Sequence, residues 1–242
     1  MAMFDHVGIT VSDRAASEAF YETVLSGVLG HAMYRAPAFT GFAEFVVHAP
    51  APGRPVTRRL HVGFPAASRA QVDAFWQAGV DAGHRSDGAP GERDYTPGYY
   101  GAFLLDPDGN SIEAVHYDGV ERHGAIDHVW MRVLDVPSAT AFYATIADAA
   151  HLRPGPRDAE YAIFRIASGA SLSLVAGDPT EGAHLAFSGT RADVQAFHAA
   201  ALAGGYRDNG APGERPQYEP GYYAAFAFDA DANNIEVVDR PR

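Results

Sequence analysis

The stretch YTPGYYGAFLLDPDGNSIEAV, Tyr95 to Val115, returns later in the chain as YEPGYYAAFAFDADANNIEVV, Tyr218 to Val238. In each copy two apolar runs flank a short Asp- and Asn-rich turn, the pattern of a β-hairpin. The first turn, DPDGN from Asp106 to Asn110, has an Asp-Gly step to supply positive φ. The second, Asp229 to Asn233, has lost the proline and glycine, which predicts a looser hairpin. Both copies keep one glutamate, Glu113 or Glu236, inside the apolar second run. An unpaired buried carboxylate is expensive, so these glutamates must face water, meet a partner or hold a cation.

The repetition runs through the whole chain. FDHVGITV from Phe4 matches IDHVWMRV from Ile126, and AFYETV from Ala19 matches AFYATI from Ala141. GAPGER occurs unchanged at Gly88 and at Gly210, with one extra residue between it and PGYY in the second copy. A short linker, DGVERHG from Asp118 to Gly124, joins the halves and carries His123. Two similar tandem domains follow, residues 1–120 and 121–242.

Each half has the same grammar. An alternating strand, HVGITVS, precedes a helix that starts near Ser12 or Asp13 and places Phe20 and Val24 on one face. Strands follow at HAMYR, TGFAEFVVHA and, after the loop PAPGRPVT, RRLHVGFP. A second helix opens at Ser68 and Gln71, or at Thr190 and Asp193 in the second copy, with capping-box spacing. It ends at Gly83, or at Gly204 and Gly205. The final hairpin closes the half. The chain therefore predicts four strand–helix–strands units, an α+β fold.

Net charge is −12, with no lysine and no cysteine. Nucleic acid and anionic membranes call for basic patches, so neither is an expected partner. Thiolate chemistry, disulfides and cysteine-ligated zinc are excluded. The opening MAMFDHVGITV lacks a signal-peptide pattern, and no run approaches the ~18 apolar residues of a membrane span. A cytoplasmic protein is expected.

Of the eleven histidines, only two pairs recur between the halves: His6 with His128 and His61 with His184. Glu113 and Glu236 follow the second histidine at the same spacing in both copies. All sit mid-strand, in DHVGI, LHVGF and SIEAV, where charge is normally excluded. Two neutral imidazoles and one carboxylate suit a divalent metal, with positions left for water or substrate. The competing reading puts them on the solvated face of the sheet.

DHVGITV, HVGF and DPDGNSIEAV resemble the vicinal oxygen chelate superfamily, the group of glyoxalase I, bleomycin-resistance proteins and extradiol dioxygenases. The resemblance implies four βαβββ modules in two tandem glyoxalase-like domains, each metal site in a cupped mixed β-sheet. It implies a divalent ion, Fe2+, Mn2+, Zn2+ or Ni2+, a small-molecule substrate with vicinal oxygens, and a monomer (a pseudo-dimer) or homodimer. If each half closes on itself, the sites are His6/His61/Glu113 and His128/His184/Glu236. If modules are exchanged, they are His6/His184/Glu236 and His128/His61/Glu113.

The resemblance also discriminates among reactions. Glyoxalase I would add a fourth, acidic ligand; the first half offers Glu44 in AEFVV, but the second reads SLSLV with Ser171 and Ser173. An extradiol dioxygenase would place tyrosine where Phe103 and Phe226 stand. A phosphonate pocket of the fosfomycin-resistance type would want lysine. Tyr99 and Tyr222 share a face with these phenylalanines and are candidate catalytic donors to substrate, with cross-strand packing as the alternative. Glu92 and Arg93 in GAPGER, with Glu214 and Arg215, could gate a pocket mouth or form a salt bridge in a solvated loop. The expected protein is a metal-dependent lyase, isomerase or oxygenase; the alternative is a drug- or metabolite-sequestering protein of the bleomycin-resistance type. The duplicated triad favours the enzyme.

Overall fold

The computed structural model describes residues 4–122, 124–165 and 169–241; His123 lies outside them. The first module is β1 (Phe4–Thr10), α1 (Arg14–Tyr21), β2 (Met33–Arg35), β3 (Phe39–Phe42) and β4 (Phe45–His48). The second is β5 (Leu60–Pro65), α2 (Arg69–Asp81), β6 (Arg85–Glu92), β7 (Tyr99–Leu105) and β8 (Ser111–Tyr117). The third is β9 (His128–Val133), α3 (Val136–Thr145), β10 (Arg153–Arg157), β11 (Tyr161–Arg165) and β12 (Ser171–Ala176). The fourth is β13 (His184–Ser188), α4 (Arg191–Ala203), β14 (Asp208–Glu214), β15 (Tyr223–Phe228) and β16 (Asn234–Asp239). Hydrogen-bonded neighbours run β14-β15-β16-β13-β1-β4-β3-β2 in one sheet and β10-β11-β12-β9-β5-β8-β7-β6 in the other. No helix among the described residues is long and apolar enough to cross a membrane.

The chain divides into two compact units, Gly8–Trp130 and the residues up to Val7 together with those from Met131. The divisions fall inside β1 and β9, so each of these strands gives one half to each unit. In the first unit β5 and β8 pair in parallel, His61 opposite Ser111 and Gly63 opposite Glu113. β7 returns antiparallel, with Phe103 opposite Glu113. In the second unit β13 and β16 repeat the parallel pairing, and Phe226 lies opposite Glu236.

The helices start where side chains cap them. Asp13, Ser68, Asp135 and Thr190 each accept from a backbone N–H in the first turn. The buried aromatic face of α1 continues into the sheet, Tyr21 against Phe45 at 4.9 Å and Phe45 against Phe64 at 5.5 Å. Each such buried ring contributes about 1.5–3 kcal/mol relative to exposure.

Three local expectations change. TGFAEFVVHA is two strands, because Ala43 adopts φ 52° and turns the chain between Phe42 and Phe45. GAPGER belongs largely to β6 and β14, which keep antiparallel pairing across register shifts on either side of Gly88 and Gly210. The second turn is not loose. Asp106 accepts from the backbone N–H groups of Asp108 and Asn110 at 2.9 and 2.8 Å, and Asp229 does the same for Asp231 and Asn233 at 3.0 and 2.8 Å. Asp and Asn hold the turn in both copies, and Ala232 takes φ 67° where Gly109 takes φ 86°.

An L residue other than glycine held in the left-handed region costs roughly 1–2 kcal/mol. Ala232→Gly is therefore expected to stabilise the protein by about 1 kcal/mol, raising Tm by about 2–4 °C in calorimetry. An unchanged or lowered Tm would mean that the turn carries no strain at this position.

Candidate metal centres

Two sets of three side chains each bring one ligand atom within 4.8 Å of the others: His6, His184 and Glu236, and His61, Glu113 and His128. Of the two pairings open to the sequence, this is the exchanged one. In the second set, His61 Nε2 lies 3.0 Å from His128 Nε2 and 3.0 Å from Glu113 Oε2, and His128 Nε2 lies 3.1 Å from the same oxygen. In the first, His184 Nε2 lies 3.0 Å from His6 Nε2 and 2.9 Å from Glu236 Oε2, while His6 Nε2 is 3.8 Å from that oxygen. Both glutamates are 1% exposed.

The turn that closes each hairpin also aligns the ligands. Asn110 Oδ1 accepts from the backbone N–H of Leu60, the residue before His61. Asn233 Oδ1 accepts from Ala183, the residue before His184. One side chain thus ties the start of β8 to the start of β5, and its counterpart ties β16 to β13.

The imidazole tautomers follow from the other ring nitrogens. His128 Nδ1 lies 2.8 Å from Asp127 Oδ2, and His6 Nδ1 lies 2.9 Å from Asp5 Oδ1. A carboxylate only accepts, so each Nδ1 carries a proton and Nε2 is the nitrogen that can offer a lone pair to the triangle. His184 Nδ1 instead lies between Asn234 Nδ2 at 2.8 Å and the Asn234 backbone carbonyl at 3.1 Å. Asp127 is held by the Tyr117 hydroxyl at 2.8 Å and by Arg122 at 3.2 Å. Asp5 is held by one edge of the Arg240 guanidinium, Nε to Oδ2 and Nη2 to Oδ1, each at 2.9 Å. The sequence reading missed these residues. The Asp-His dipeptide repeated in FDHV and IDHV is the signal that marks the two aspartates.

Charge in the second triangle is finely balanced. Burial would raise the Glu113 carboxyl, but hydrogen bonds and charge from His128 and His61 bring it down to about 2. Burial lowers His61 despite Glu113. Burial would also lower His128, but Asp127 and Glu113 raise it to about 9. The pocket holds a positive charge as a proton, and a metal ion would compete with that proton for the same lone pairs. Two imidazoles and a buried carboxylate in each set, with one imidazole oriented from behind by an aspartate, fit a divalent cation.

Tyr99 and Tyr222 do not point a free hydroxyl at a substrate. Each donates to the glutamate oxygen that the histidines leave, Glu113 Oε1 or Glu236 Oε1, at 2.6 Å. Burial first, and the neighbouring carboxylate second, push both phenols far above their ordinary range. Glu44 lies in the β3–β4 turn and accepts from the Ala125 backbone; neither it nor Ser171 or Ser173 belongs to a donor set. Glu92 pairs with Arg69 at 2.8 Å and Glu214 with Arg191. Arg93 and Arg215 instead donate to the Ala89 and Ala211 carbonyls and lie over Phe103 and Phe226. Trp130, also missed, packs 5.3 Å from the His61 ring and 5.7 Å from Tyr95.

The profile of the Glyoxalase/Bleomycin resistance protein/Dioxygenase superfamily matches residues 3–114. Glyoxalase I from Zea mays is 19% identical, with 98% of this chain and 92% of that chain covered at a TM-score of 0.69. A dioxygenase candidate from Bacillus subtilis subsp. subtilis str. 168 is 15% identical, with 99% and 85% covered at a TM-score of 0.65. A glyoxalase/bleomycin resistance protein from Albidiferax ferrireducens T118 is 36% identical over 48% of this chain and 98% of its own, at a TM-score of 0.41. No curated protein matches the chain.

Tyr99→Phe keeps the ring and removes the donor to buried Glu113 Oε1. Loss of a hydrogen bond to a buried charge is expected to destabilise the metal-free protein by about 1–3 kcal/mol in urea unfolding. An unchanged midpoint would show that the hydroxyl does not hold this carboxylate.

Proposed function

We propose, for a chain that belongs to the glyoxalase/bleomycin resistance protein/dioxygenase superfamily, that both donor sets hold a divalent metal ion. We infer that the protein is an enzyme acting on a small molecule with two adjacent oxygen atoms. One observation carries this reading: in each set two imidazole nitrogens converge with one oxygen of a buried carboxylate, all lone-pair donors, in a half-buried place. A bound divalent ion would polarise the substrate oxygens that it chelates and stabilise negative charge developing on them.

The chain's own groups prepare that place. Asp127 and Asp5 hold His128 and His6 in the tautomer that offers Nε2. Tyr99 and Tyr222 occupy Oε1, so each glutamate offers the single atom Oε2 and the remaining positions stay open. They are therefore positioning residues in this reading. Around His61, Trp130 and Phe103 shield the triangle with apolar surface, which keeps water off a bound oxyanion.

Neither donor set includes a fourth acidic side chain among the described residues, which weighs against glyoxalase I chemistry. Phe103 and Phe226 stand where a dioxygenase tyrosine was expected. The reaction class is accordingly read out by the metal and by oxygen. After anaerobic reconstitution with Fe2+, Mn2+, Zn2+ or Ni2+, two ions per chain are expected, one for each donor set. Oxygen uptake with an iron- or manganese-loaded protein and a 1,2-diol or catechol panel assigns an oxygenase. Turnover with zinc or nickel and no uptake assigns a lyase or isomerase. Fewer than one ion per chain, with tight binding of an organic ligand, would overturn the enzyme in favour of a sequestering protein.

A further inference from the structure

The two donor triangles match residue for residue but not in shape, and the difference follows two positions beneath them. Gly63 in β5 lies under the His128 ring: a Cβ there would sit 2.2 Å from Cε1, 2.5 Å from Nδ1 and 2.6 Å from Nε2. Gly101 in β7 lies under Glu113: a Cβ there would sit 2.4 Å from Oε1. The matching positions in the other copy are Ala186 and Ala224, both fully buried. Methyls therefore stand where the first copy needs bare backbone. The His128 side chain is 4% exposed and the His6 side chain 16%. Nε2 of His128 reaches its glutamate at 3.1 Å, whereas Nε2 of His6 stops at 3.8 Å.

An octahedral ion with ligands at about 2.1 Å separates adjacent donors by about 3.0 Å. The triangle of His61, Glu113 and His128 has all three edges at 3.0 or 3.1 Å. The triangle of His6, His184 and Glu236 has two edges near that value and one at 3.8 Å. The first set already has the edge lengths of such an ion, and the second must close one edge, in the copy where Ala186 stands in place of Gly63.

We propose that the two centres are inequivalent. His61, Glu113 and His128 bind a small octahedral cation tightly, His6, His184 and Glu236 bind it more weakly, and glycine or alanine at 63/186 and 101/224 sets the difference. This rests on the metal reading above.

The chain supplies a reporter for one centre. It has two tryptophans. Trp130 lies 5.3 Å from the His61 ring and 6.0 Å from the His128 ring, and Gly8 takes its place in the other copy. Trp76, the other, donates to Ser86 on the surface. The metal-free W76F protein is titrated with Co2+, a fluorescence quencher, and bound metal is counted by equilibrium dialysis. The expected result is that most of the quenching comes with the first equivalent and that the second equivalent binds about tenfold or more weakly. Ala186→Gly with Ala224→Gly should draw the two affinities together. His6→Ala should keep the tight, quenching class, and His128→Ala should remove it. A single affinity class, or quenching that tracks the second equivalent, overturns the inequivalence and leaves the metal reading standing. A chain that binds no Co2+ overturns both.

Discussion

The side chain of Asn110 links the two ends of a parallel strand pair, and the candidate centre depends on that link. Parallel strands lack a tight turn to set their register. Here Asp106 organises a short turn, Asn110 sits at its end, and the Asn110 amide oxygen takes the Leu60 N–H. His61 is then opposite Ser111, and Glu113 is opposite Gly63. A slip of one residue would send every side chain of β8, Glu113 included, to the other face. Asp229 and Asn233 repeat the device for His184 and Glu236. Pro and Gly are decoration by comparison: the second copy lost both and kept the alignment.

A second constraint acts from behind the imidazoles. A metal-binding histidine needs its far nitrogen engaged, and the engaging carboxylate needs its own partners once buried. The two copies meet this need differently. Asp127 takes a phenol from Tyr117 and a guanidinium from Arg122, while Asp5 takes one edge of the Arg240 guanidinium. Burial would raise the Asp5 carboxyl, and His6 with Arg240 more than offsets it. The function of the aspartate is shared by both copies, and the residues that sustain it are not.

Much of this was legible in the sequence, because duplication separates what recurs from what drifts. The four modules, the six candidate ligands and the two tyrosines all lie at repeated positions. The choice of partners was not legible, since the pairing of β13 with β1 and of β9 with β5 is a long-range matter that loop lengths do not specify. Turns without glycine also escaped. Ala43 and Ala232 adopt left-handed φ with no local signal, so one predicted strand became two and a turn expected to loosen did not. GAPGER reads as a loop from its glycines and proline, yet the strand pairing absorbs the irregularity in register shifts. Tyr117 and Arg240 face the same task from matching places with unlike chemistry, which defeats any comparison of the halves. Tyr99 was found, but with its hydroxyl expected at the substrate rather than on Glu113.

The reach of the Asp5–Arg240 contact has a consequence for how the protein is made. The two residues are 235 apart in the chain. Ribosomes release the chain from its N-terminus at about 5–20 residues per second. Every group of the His61 centre, Trp130 included, is present once the first compact unit has emerged. The His6 centre is different: His6 precedes that unit in the chain, and His184, Glu236 and Arg240 all follow it. Synthesis therefore presents all three donors of the His61 set before the last two donors of the His6 set.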